Sequence, residues 1–178
     1  MRILVEWCDK SWKSTLIKKL SEELGMKVIK CSQPKTDNPF EEYVELFGTE
    51  KINKNNVVND NVIFDRSWIG EQAYWPIYRN KKMKKFQVAR LDKACKIAWD
   101  LIVYCTTNIW TIKKKFIEDK EDFAQVKDIG RIQRYFVKTI KWLTTPVIQY
   151  DWQVTNPDSI IYIIRELMNT PLSEKVII

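Results

Sequence analysis

The stretch Arg2-Ile3-Leu4-Val5-Glu6-Trp7-Cys8-Asp9-Lys10-Ser11-Trp12-Lys13-Ser14-Thr15 decides the fold. Its apolar start, Ile3-Leu4-Val5, reads as a short buried strand. Leu16, Leu20 and Leu24 then recur at helical spacing and Gly25 stops the run, so a helix over 14–24 follows. Between strand and helix, the segment from Trp7 to Ser14 keeps the spacing G-x-x-x-x-G-K-[ST], a loop that wraps phosphate at a helix N-terminus. Lys13 and Ser14 are in place, and both glycine positions hold tryptophan. Each part has a chemical duty. The backbone of Trp7, Cys8, Lys10, Ser11, Trp12 and Thr15 would cradle the phosphates of ATP, Lys13 would neutralise the β- and γ-phosphates, and the Ser14 hydroxyl would hold Mg²⁺. Glycine matters in such a loop because the chain takes positive φ and approaches the ligand closely. Lys-Ser-Thr alone would favour a mere helix cap with Lys13 in solvent. The preceding strand, the spacing, Glu6 and Asp9 favour the phosphate loop.

Outward from this segment, apolar runs at 26–31, 62–65, 101–104 and 146–150 read as further strands. Helical patterns fall at 41–47, 67–79, 84–98, 109–120, 125–143 and 157–168. Strands alternating with helices imply βαβ units, a parallel sheet and helices on both faces. No repeat or linker divides the chain, so residues 1–170 are expected to form one α/β domain, with a short tail at 171–178.

The 178 residues carry a net charge of +7, from 23 lysines and 7 arginines against 23 acidic residues. This sign suits a polyanion or a nucleotide. The aromatics do not interleave with the basic residues as a stacking platform for nucleic acid would, so no nucleic-acid polymer is expected. No apolar run approaches the roughly 18 residues of a membrane span, and no membrane partner is expected. Four cysteines without framework spacing fit a reduced, cytoplasmic compartment. The absence of histidine excludes mechanisms that need an imidazole base or ligand.

In this context the sequence resembles the thymidylate kinases and related deoxynucleoside monophosphate kinases, in a viral-type form. Their first motif, E-G-x-D-x-x-G-K-[ST]-T, matches Glu6, Asp9, Lys13, Ser14 and Thr15 in register, and Lys10-Ser11 is also a pair found there. Their second motif, Asp-Arg at the end of strand three, matches Asp65-Arg66, followed by Gly70-Glu71-Gln72-Ala73-Tyr74. Trp75 before Pro76 again stands at a family glycine. Ser32-Gln33-Pro34 takes the place of the acceptor loop, and Glu121-Asp122-Phe123 resembles a segment after the lid.

The resemblance implies a three-layer P-loop NTPase fold with strand order 2-3-1-4-5 and a basic lid at about 110–123. It also implies ATP-dependent phosphorylation of a deoxynucleoside monophosphate, with dTMP to dTDP the favoured reaction. ATP and Mg²⁺ are the implied cofactors. Family members often form homodimers, and no feature of the sequence identifies an interface. The family's catalytic arginines have no clear match; Lys10, Lys113, Lys114 and Lys115 are the available cations, and lysine cannot make arginine's bidentate fork. Related deoxynucleoside kinases need a base for a neutral hydroxyl, and Asp65-Arg66 argues for the monophosphate kinase.

Candidate roles each have a structural alternative. Lys13, Asp9, Arg66 and Lys10 are the catalytic candidates. Asp65, at the sheet's carboxyl edge, would orient Mg²⁺ with Ser14 or else cap the next helix. Arg66 would grip the acceptor phosphate or form a surface ion pair. Asp9 would hold a cation or the acceptor sugar, or simply shape a turn. Pro34 would line the acceptor loop. Tyr74 would meet the acceptor nucleoside or pack in the core. The basic stretch 79–85 reads as a solvated loop, and Tyr135, Phe136 and Trp142 as a core face.

Four glycines against eight tryptophans invert the usual proportion, and together they make 12, the glycine share expected at about 7% of a chain this long. Two explanations stand open. Trp7 and Trp12 are genuine and fill the phosphate site, leaving a binding or structural protein. Alternatively, some tryptophans stand for UGA codons that certain lineages read as glycine.

Overall fold

A computed structural model describes residues 1–7, 12–31, 39–47, 61–80, 82–98, 100–118 and 124–170. Five strands, β1 (Arg2–Glu6), β2 (Lys27–Lys30), β3 (Val62–Asp65), β4 (Leu101–Thr106) and β5 (Val147–Asp151), form one sheet in the order β2-β3-β1-β4-β5. All pairings are parallel. The expected three-layer α/β architecture and strand order are both present. Seven α-helices are described: α1 (Lys13–Leu24), α2 (Pro39–Phe47), α3 (Trp68–Tyr78), α4 (Lys85–Ile97), α5 (Ile109–Glu118), α6 (Ile129–Ile140) and α7 (Pro157–Asn169). α1 packs with α7, α2 with α4, and α3 with α6.

The central strand explains its own sequence. β1 is buried along its whole length between β3 and β4, as strands covered on both faces must be. Its one basic residue, Arg2, is tolerated because its guanidinium grips Asp100 bidentately, Nε to Oδ1 at 2.6 Å and Nη2 to Oδ2 at 2.7 Å. At the far end of the sheet, Asp92 of α4 accepts hydrogen bonds from the backbone N–H and hydroxyl of both Thr144 and Thr145, fixing the approach to β5.

Three expectations change. The helix expected over 125–143 opens as a 3₁₀ turn, Val126–Asp128, and becomes α-helical only at Ile129. Tyr78 at the end of α3 intervenes: its hydroxyl accepts the Gln125 N–H at 2.9 Å and lies 3.4 Å from Asp128 Oδ2. At the other end the bonds tighten, Trp142 N–H reaching Thr139 O and Leu143 N–H reaching Ile140 O, the usual winding-down of a helix terminus. That turn swings Trp142 out of the core face. It is 62% exposed, with the Lys85 ammonium 5.1 Å from its ring centroid. Phe136 is fully buried as expected, and Tyr135 is half-buried. The basic stretch 79–85 is not uniformly solvated either: Met83 is buried and the Arg79 guanidinium lies 5.3 Å from the Trp75 ring.

Among the described residues, no helix is long and apolar enough to cross a membrane. Cys31, Cys95 and Cys105 are free thiols.

Candidate functional site

Parallel register brings the carboxyl ends of β1 and β3 side by side, with Val5 opposite Asp65. Each strand then hands its last hydrogen bond onward: Arg66 N–H donates to Val5 O, and Cys31 N–H donates to Asp65 O, both at 3.1 Å. Glu6, Asp65, Arg66 and the first turn of α1 therefore meet at one sheet edge, the edge at which open α/β sheets bind ligands.

Lys13 opens α1 directly above this edge. Its side chain is 7% exposed and its ammonium is ion-paired with Asp65, so the solvated alternative for Lys13 is excluded. Asp65 does not cap the next helix. That role belongs to Ser67, whose hydroxyl oxygen accepts the Ile69 N–H at 3.3 Å. The same hydroxyl donates to Glu6. Burial pushes the fully enclosed Glu6 carboxyl up to about 7, against opposing pulls from Ser67, Lys13 and Arg66. The sequence marked Glu6 as part of the first motif but gave it no role of its own.

Two residues at this edge hold left-handed backbone, Trp12 at φ 58° and Arg66 at φ 73°. For side-chain-bearing residues this is costly, about 1–3 kcal/mol each, and such outliers cluster at functional sites. Trp12 is the N-cap of α1, yet its side chain makes no capping bond. Its carbonyl does the work, accepting from Thr15 N–H at 3.1 Å and Leu16 N–H at 3.2 Å. The Trp12 ring stacks on Trp152, centroids 3.8 Å apart, and the Lys115 ammonium of α5 sits 3.5 Å from its centroid. Ser14 and Thr15 are exposed on the first turn of α1. Cys8, Asp9, Lys10, Ser11 and Pro34 lie outside the described residues, as do Lys81, Trp99, the 119–123 part of the expected lid and the 171–178 tail.

Beside Arg66 a cleft runs between β1 and α3, lined by Glu6, Trp7, Arg66, Tyr74, Trp75 and Arg79 among others. Tyr74 is half-buried in its wall, stacked along Tyr78 and edge-on to Phe136. Trp7 is 1% exposed and wedged edge-on against Tyr104, centroids 4.9 Å apart. Glu71, also in the wall, accepts from the Tyr43 hydroxyl at 3.0 Å, and burial raises its carboxyl above the ordinary range. The cleft encloses about 60 Å³, room for a few waters and far below the roughly 300–1,000 Å³ of ligand pockets. A larger groove of about 520 Å³ lies between α4 and α6, with an apolar floor and a lysine rim, but it holds none of the groups at the strand ends.

The site residues thus divide. The fold brings together Trp7, Trp12, Lys13, Asp65, Arg66 and Tyr74, to which the sequence gave roles, with Glu6, which it marked only as a motif residue, and adds Ser67, Glu71 and Trp152. Trp152 joins through a hydrogen bond from its indole N–H to Thr107 Oγ1 at 2.9 Å, a contact across 45 residues that no local pattern announces.

No protein-family model matches the chain, and no curated protein matches it in sequence. Solved structures do match in fold. YorR from Bacillus subtilis, in complex with phosphorylated GDP, is similar at a TM-score of 0.75 and 23% identity, over 94% of this chain and 95% of that one. Deoxyadenosine kinase from M. mycoides, with products dCMP and dCDP, is similar at 0.57 and 16% identity, over 95% and 99%. A putative kinase from Chloroflexus aurantiacus is similar at 0.51 and 10% identity, over 93% and 96%. Two of these three neighbours are named as kinases, one of them putative, and the chain shares the fold of all three.

Proposed function

We propose that this chain transfers the γ-phosphoryl group of ATP to a deoxynucleoside monophosphate, with dTMP the favoured acceptor. One observation carries the reading: a buried lysine in the first turn of α1, paired with an aspartate from the adjacent strand end, at the carboxyl edge of a 2-3-1-4-5 sheet. Phosphoryl transfer asks the protein for positioning and charge neutralisation more than for covalent chemistry. Lys13 supplies positive charge where the β- and γ-phosphates would lie, beside the dipole of α1. Ser14 and Asp65 offer hard oxygen donors suited to Mg²⁺, which when bound would neutralise charge on the transferring phosphates. Arg66 and Arg79 face the cleft beyond β3 and would hold an acceptor phosphate. Tyr74 would bound the nucleoside. The acceptor oxygen is already anionic, so the step needs no general base, and the lack of histidine is no obstacle.

A second reading, deoxynucleoside kinase, is favoured by Glu6. A carboxyl pushed up to about 7 at the cleft suits proton abstraction from a neutral hydroxyl near neutral pH. A coupled ADP-release assay with dTMP, dUMP, dGMP and thymidine separates the two. Turnover of monophosphates supports the proposal. Turnover of thymidine alone replaces it with the second reading.

A further inference from the structure

Three tryptophans stand at the phosphate-loop positions or in the walls of the cleft. Trp12 must hold left-handed backbone at φ 58° and ψ 14° to start α1, and its side chain makes no capping bond there. Glycine takes that conformation without a steric cost, whereas for a bulky residue it is an outlier. Trp7 follows the last residue of β1 and fills the wall of the cleft from one side; Trp75, 5% exposed, fills it from the other. The cleft that both of them line encloses about 60 Å³. Positions 7 and 12 are also the two places at which the phosphate-loop spacing requires glycine.

Two other tryptophans behave differently. Trp68 is completely buried at the start of α3 and does not line the cleft. Trp152 is bonded through its indole N–H into a network in which Thr107 also donates to Gln153 at 3.1 Å. An unpartnered indole nitrogen does not separate the groups, since those of Trp7 and Trp68 both lack an acceptor among the described residues. Place does, and at position 12 backbone conformation does as well.

We propose that positions 7, 12 and 75 carry glycine in the active protein, each encoded by a UGA codon that the source reads as glycine, and that tryptophan at 68 and 152 is native. The chain then regains three of the glycines missing from a composition with four where roughly 12 are ordinary. The loop regains its freedom at position 12, and the cleft opens beside Arg66 and Tyr74. This inference rests on the phosphate-loop reading of the site for its functional consequence, but its decisive test does not. The codons at 7, 12, 68, 75 and 152, and the peptide masses of the protein from its natural source, report the residues directly. UGA codons with glycine masses at 7, 12 and 75, and UGG codons with tryptophan masses at 68 and 152, are expected. UGG codons or tryptophan masses at 7, 12 and 75 overturn the proposal, whatever the chain binds. Calorimetry with ATP·Mg²⁺ is the second arm. The Trp7→Gly/Trp12→Gly/Trp75→Gly chain is expected to bind at least about 100-fold more tightly than the chain with tryptophan at all three. Glycine masses at all three positions with no ATP binding by that variant keep the residue assignment and reject the kinase reading, so the two fail separately.

Discussion

The buried Glu6 carboxyl makes a quantitative prediction. Burial moves it from an ordinary 4.5 to about 7 in the folded protein. The unfolded chain therefore releases this proton first as pH rises, and the folded state pays for ionisation that the unfolded state does not oppose. The stability that goes with a neutral Glu6 is complete below about 4.5 and is lost as pH climbs through about 7. At about 1.4 kcal/mol per pH unit of displacement, the loss totals roughly 3 kcal/mol. Glu6→Gln keeps the shape and an acceptor for the Ser67 hydroxyl while removing the charge, so the variant escapes that loss. For a chain of this size each kcal/mol is worth roughly 2–4 °C of Tm. The Tm of Glu6→Gln minus that of the parent should rise by about 6–12 °C between pH 4.5 and pH 8, followed by circular dichroism at matched ionic strength. Burial also raises Asp100 and Glu71, but both are present in each protein and cancel in the difference. A difference that stays level across the range, within about 1 °C, would refute the reasoning and mean that Lys13 and Arg66 keep Glu6 ionised throughout.

Arg2→Met strands the buried Asp100 carboxylate and should cost roughly 3–5 kcal/mol in urea unfolding, most of it recovered in Arg2→Met/Asp100→Leu. Asp92→Ala removes the acceptor for the Thr144 and Thr145 N–H groups and should destabilise by roughly 2–5 kcal/mol, with Asp92→Asn retaining part of the loss because its amide oxygen accepts one of them. Lys13→Ala, made in the Trp7→Gly/Trp12→Gly/Trp75→Gly chain, should lower kcat by roughly 100- to 1,000-fold while the fold persists by circular dichroism; unchanged turnover would remove Lys13 from the machinery.

The fold was legible because its signals are local and repeated. Ile3-Leu4-Val5, Val62-Ile63-Phe64 and Leu101-Ile102-Val103 are short apolar runs of the length that buried parallel strands take, and each is followed by helical spacing. The strand order came from resemblance, since nothing local encodes which strand lies beside which. The site was legible where chemistry is written into spacing, at Lys13, Asp65 and Arg66. It was not legible where two readings differ only by a rotamer. Whether Asp65 caps a helix or pairs with Lys13 depends on Ser67, two residues on, which supplies the cap and holds Glu6 as well. Trp142 departs from its pattern for a related reason: helical periodicity carried past Ile140 keeps it on the core face, and the tightened final turn rotates it out.

The tryptophans at 7 and 75 also show why folding and activity pull apart at this site. Each indole buries on the order of 150–250 Å², which at about 25 cal/mol per Å² contributes roughly 4–6 kcal/mol as an upper bound. Both are buried, Trp7 within the core cluster beside β1 and Trp75 on α3, and both line the cleft. The same packing removes the space a nucleotide would need. At position 12 the balance reverses, since glycine relieves about 1–3 kcal/mol of backbone strain and gives up a stacked ring on Trp152. Replacing all three by glycine should therefore lower Tm while raising affinity for ATP. Selection by thermal stability alone would retain tryptophan at 7 and 75, and selection by nucleotide binding would remove it. The opposite signs in the two assays follow from one geometry: a cleft whose walls are built from β1 and α3 can be filled by side chains or by substrate, but not by both.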